Sequence, residues 1–96
     1  MARFDVAHIR TREGVDLVIM SLERSFGNKS QSEQAQVVAG LQACASSAGL
    51  GGTVVPVWDD GFGRMMFFAR ENIHPFFLSI DMDYVAANIN KSLSCE

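Results

Sequence analysis

The chain has 96 residues, 48% of them hydrophobic and 20% charged, with a formal net charge of −3. That apolar content suffices for a core and argues against disorder. The acidic balance, with eight scattered Lys and Arg, argues against binding driven by phosphate contacts and against attraction to an anionic membrane surface. No apolar run of about 18 residues is present to span a bilayer, and the alternating, charged start over 1–10 does not read as a secretory leader. A cytoplasmic protein of one domain over 1–96 is expected, with no nucleic-acid and no membrane partner. In that compartment Cys44 and Cys95 read as free thiols, Cys44 as a small core residue, with a Cys44–Cys95 bridge as the alternative.

From Phe4 to Arg10 the chain alternates, with Phe4, Val6 and His8 on one side and Ala7 and Ile9 on the other. Thr11-Arg12-Glu13-Gly14 reads as a turn in which Gly14 supplies a positive φ. Val15 to Leu22 reads as a second strand, apolar on both faces and therefore interior. Gly27-Asn28-Lys29 breaks the chain. Ser30-Gln31-Ser32-Glu33 then offers a capping box, and Val37, Val38, Leu41, Cys44, Ala45 and Ala48 recur at helical spacing until Gly49 and Leu50 close a Schellman-type end.

Thr53 to Phe68, TVVPVWDDGFGRMMFF, predicts a hairpin around an Asp/Gly turn. Pro56 has no N–H to give to a ladder, which places its strand at a sheet edge or a bulge. Glu71 to Pro75 is expected to be a loop, because a proline disfavours helical geometry in the residue before it. Phe76, Phe77, Leu78 and Ile80 return the chain to the core. A second helix, capped by Ser79 or Asp81 and running to about Ser94, would carry Met82, Val85, Ala86, Ile89 and Leu93 on one stripe. Two ββα halves, about 3–49 and 52–95, follow from this order. The expected fold is α+β: a two-layer ββαββα domain, a four-stranded and mostly antiparallel sheet with two helices packed on one face. A strand order such as 3-4-1-2 would put the proline strand at an edge.

Little in the chain proposes chemistry. His8 and His74 lack HxxxH, HxH or CxxC partners and read as structural. Asp81 and Asp83 suit a helix N-terminus without a metal. Asp59, Asp60, Gly61 and Arg64 suit a hairpin loop, and no phosphate loop or nucleophile elbow is present.

The hairpin strands are more informative. They are apolar on both faces, and two helices cover only one face of a four-stranded sheet. Each large side chain left open on the other face would forgo roughly 1.5–3 kcal/mol of burial, so that face calls for a partner. The competing arrangement has the helices straddle the sheet, or Phe76, Phe77 and Ile80 fold beneath it.

The expected function is therefore a non-enzymatic interaction module, a homodimer or a binder of an apolar partner through its open sheet face. Trp58, Phe62, Met65, Met66, Phe67 and Phe68 are the contact candidates. The alternative is a small-molecule-binding domain or small enzyme, taking an apolar ligand in a pocket whose polar candidates are His8, Asp59, Asp60, Arg64 and His74. Neither reading calls for a cofactor or a metal.

Overall fold

The chain's computed structural model describes residues 2–95. The first strand, β1 (Ala2–Arg10), turns back through Gly14, at φ +82°, into β2 (Asp16–Ser21). Their antiparallel register pairs Val6 with Met20 and Arg10 with Asp16. A single-turn 3₁₀ helix (Arg24–Asn28) then leads to α1 (Gln31–Ser47).

Both ends of α1 are built as the sequence predicts. Ser30 accepts from the Glu33 N–H while the Glu33 carboxylate accepts from the Ser30 N–H, a reciprocal capping box. At the far end Leu50 N–H donates to the Ala45 carbonyl and Gly49 N–H to the Ser46 carbonyl, with Gly49 at φ +82°. Those are the two bonds of a Schellman motif, and the left-handed residue between them favours glycine.

The 17 residues of α1 span about 25 Å, enough to carry the chain back to the start of β2. The next strand, β3 (Thr53–Asp59), consequently runs parallel to β2, pairing Leu17 with Thr53 and Ser21 with Val57. It turns into β4 (Met65–Phe67), antiparallel.

A 3₁₀ turn (Glu71–Ile73) runs directly into α2 (His74–Leu78), and α3 (Met82–Ala87) follows, with Asp81 accepting from the Tyr84 N–H as its cap. The last described strand is β5 (Lys91–Cys95), antiparallel to β1. The sheet order is β4-β3-β2-β1-β5.

Four expectations are corrected. The sheet is mixed and has five strands, because the segment expected to complete a long second helix is β5. The helix stops where Asn88 turns its side-chain amide back on the Tyr84 carbonyl. Asn90 then clamps β1: its N–H donates to the Val6 carbonyl, its Oδ1 accepts from the His8 N–H, and its Nδ2 donates to the His8 carbonyl.

Residues 71–75 are helical, not a loop. His74 sits at φ −54°, ψ −44°, and Pro75 lies in the first turn of α2, where a missing N–H costs nothing.

The strand holding Pro56 is interior. Its missing donor faces β4, so after Phe68 N–H donates to the Pro56 carbonyl no bond returns and the ladder ends. The order 3-4-1-2 is replaced accordingly.

Finally, among the described residues no broad sheet face stands open. On one side Val6, Val18, Met20, Val54, Leu93 and Cys95 pack with Leu41 and Ala45 of α1. On the other, Ala7, Leu17, Ile19, Val55 and Val57 pack with Ile73, Phe77 of α2 and Val85 of α3. The two-sided apolarity of β2 and β3 is the signature of this three-layer burial. Among the described residues no helix is long and apolar enough to cross a membrane.

Candidate functional site: the β4 edge of the sheet

The turn between β3 and β4 is held by its own carboxylates. Asp59 Oδ1 accepts from the Gly61 N–H at 2.6 Å, and Asp60 Oδ1 from the Phe62 and Arg64 N–H groups at 2.8 and 3.2 Å. Gly61 and Gly63 both have φ above +80°, the left-handed backbone that such a tip requires. With its backbone thus pinned, Phe62 projects from the tip and is 93% exposed.

The ladder beyond the turn determines which backbone groups remain open. Asp60 N–H donates to the Arg64 carbonyl, and Phe68 N–H to the Pro56 carbonyl. Bonded pairs alternate on an antiparallel ladder, so Arg64, Met66 and Phe68 turn their backbone groups towards β3. Met65 and Phe67 turn theirs away. Among the described residues no strand pairs with that outer side.

The six contact candidates divide by parity. Met65 and Phe67 point into the layer of α2, where Phe67 stacks on Phe77 at 5.2 Å and meets His74 edge-on. Trp58 is buried on the opposite face, edge-on to Phe26 at 4.8 Å. Gly27 makes that seat possible, since a Cβ there would lie 2.6 Å from Trp58 Nε1. Phe68 is half-buried. Met66, 39% exposed, and Phe62 are the candidates that reach solvent. Beside them a shallow groove of about 490 Å³ is lined by Arg24, Asn28, Trp58, Asp60, Phe62 and Met66.

The polar candidates do not converge. His8 Nε2 lies 2.7 Å from the Gly51 carbonyl and His74 Nε2 2.7 Å from that of Ala69. A carbonyl only accepts, so each Nε2 carries the proton and is occupied in fixing a loop. Neither histidine lines the groove beside β4, nor a larger one of about 680 Å³ between the β1–β2 turn and α2–α3, floored by Val15, Ile73, Phe76 and Ile80. Of the polar candidates Asp60 alone borders a groove, and its carboxylate is engaged by the turn. Among the described residues no three His, Cys, Asp or Glu side chains gather as a metal-ion site.

The free-thiol reading is overturned: Cys44 on α1 is disulfide-bonded to Cys95 on β5, their Cα atoms 5.9 Å apart. The sequence carried a signal for this. Leu93 and Cys95 repeat with the period of a strand, and a strand beside β1 brings Cys95 under the α1 stripe to which Cys44 belongs.

Compared with models of known protein families, with curated protein sequences and with solved structures, the chain matches none.

Proposed function

We propose that the chain is a small, non-enzymatic binding module that pairs with a second copy of itself along the β4 edge. The observation that carries this reading is the pair of outward-facing backbone units at Met65 and Phe67, flanked by exposed Met66 and Phe62. An unpaired sheet edge is a template for another strand. The face first expected to make the contact is taken by α2 and α3, which leaves this edge as the apolar surface of the hairpin.

The edge is complementary to itself. A two-fold axis at Met66 sets Met65 opposite Phe67 of the second copy, and Phe67 opposite its Met65. Each such pair exchanges two N–H···O bonds, four in all. Met66 then faces Met66 of the second copy across a non-bonded pair, where the Cβ atoms come within about 4.5–5.5 Å. Isologous pairing of this kind closes on itself and leaves no further edge at β4.

Sedimentation at about 100 μM, a concentration that saturates a micromolar association, should give a dimer. Met66→Lys places two ammonium groups opposite each other and should give a folded monomer. A wild-type monomer at that concentration, or a Met66→Lys protein that remains dimeric, overturns the reading.

A further inference from the structure

The second edge of the sheet is β5, which covers β1 and is fastened at both ends. At its start β5 is tied by the three hydrogen bonds of Asn90 to Val6 and His8. At its end it is tied covalently, Cys95 to Cys44. Between them Leu93 is buried, while Lys91, Ser92 and Ser94 are exposed. Of the eight buried members of the α1-side core, β5 supplies Leu93 and Cys95. The other six pack among β1, β2, β3 and α1, and stay in contact without it. So little apolar area does not hold an edge strand firmly.

We infer that the Cys44–Cys95 bridge is a redox latch: its reduction by a dithiol releases β5 and bares the outer edge of β1. Cys44 is partly exposed on α1, so the bridge is reachable from solvent. A dithiol thiolate attacks one sulfur to form a mixed disulfide, and its second thiol then displaces the protein sulfur. Two electrons and two protons pass to the protein. Cys44 and Cys95 become thiols, and the reductant leaves as its own cyclic disulfide.

The edge thus bared is defined. Thr11 N–H donates to the Val15 carbonyl, so by alternation the odd residues of β1 bond to β2 while Phe4, Val6 and His8 face β5. On release, the Phe4 and Val6 amides lose protection while the Ala7 and Ile9 amides keep theirs.

The test is amide hydrogen exchange on the full chain, at a dilution that keeps it monomeric, with the bridge intact and after reduction with dithiothreitol. Exchange at Phe4, Val6 and Leu93 should rise by roughly tenfold or more, since loss of a native bridge costs more than the free energy of one tenfold step. The amides of β2, β3 and α1 exchange through global unfolding and should stay far slower than those of β5 and the β1 edge. Cys95→Ser should reproduce the pattern without reductant, which separates release of β5 from any other effect of dithiothreitol. Unchanged exchange in β5 after reduction overturns the latch. So does exchange at one common rate in all strands, which would make the bridge a staple of the whole fold. Two titratable thiols in the air-oxidised protein overturn it as well.

Discussion

The two edges of the sheet are built on opposite principles. At β4 the side chains are apolar, the outward backbone groups are unpaired and the strand is three residues long. At β5 the exposed side chains are Lys91, Ser92 and Ser94, and the strand is fastened at both ends. Sheet edges are hazards that proteins blunt with charge, brevity or cover. Here β5 is blunted by charge and polarity, whereas at β4 brevity is the only device, and Pro56 imposes it. An edge kept short but apolar limits how many bonds a partner can make without preventing the pairing. That asymmetry favours one closed contact over open-ended assembly.

The largest effect on this contrast should come from beneath β4. Phe77 is 1% exposed and stacks on Phe67, so it supports the edge strand from the α2 side. Phe77→Ala should cost about 3–5 kcal/mol in urea denaturation, and self-association should weaken as β4 loses its support. A loss below 1 kcal/mol would show that α2 does not hold β4 in place.

Next in size is the bridge. The sequence separation of 51 between Cys44 and Cys95 puts the chain-entropy contribution at about 4 kcal/mol, within a usual range of roughly 2–4 kcal/mol. Cys95→Ser should lose that much stability, and dithiothreitol should then have no further effect on it. Dimerisation through β4 should persist, because the two edges lie at opposite ends of the sheet. If the dimer disappears with the bridge, the edges are not independent.

The other end of β5 gives a smaller effect. Asn90→Ala removes the side-chain partners of the His8 N–H and carbonyl and keeps the backbone bond to Val6; the site is exposed and water replaces the lost bonds, so the cost should be about 1 kcal/mol. Exchange at the His8 amide should rise while the Leu93 amide stays protected by the intact bridge.

The difference between the edges also separates what the sequence disclosed from what it did not. Features decided within a few residues were legible: the capping box at Ser30, the Gly49–Leu50 stop, the Gly14 turn, and the carboxylate-held tip at Asp59–Asp60. The residues of the β4 edge were named, and Phe62 and Met66 reach solvent. Features decided by distant partners were not. Leu93 lies at helical spacing from Ile89 and at strand spacing from Cys95, and the free edge of β1 decides between the two periods. Pro56 correctly signals a missing donor, yet the neighbour that tolerates it, Phe68 just past β4, lies twelve residues away. His74 is helical although a proline follows it, because the 3₁₀ turn before it already sets that geometry. The two apolar faces of β2 and β3 were visible, but local spacing could not show that α2 and α3 would cover the second.

The finest division between the edges is at Phe62. Its side chain is 93% exposed and its position is set by its backbone N–H on Asp60, so folding gains almost nothing from the ring. Phe62→Ala should therefore leave unfolding free energy within about 0.5 kcal/mol of wild type. The ring nevertheless borders Met66 along the same groove, where a second β4 would bury both. Sedimentation equilibrium of Phe62→Ala should show weaker self-association at unchanged stability, while the same substitution at Leu78, exposed on α2, should leave association as it was. Equal effects at both positions would mean that any exposed apolar side chain drives association, and that β4 has no special part in it. An effect at Phe62 alone ties association to the edge, since both residues are comparably exposed and differ chiefly in where the fold has put them.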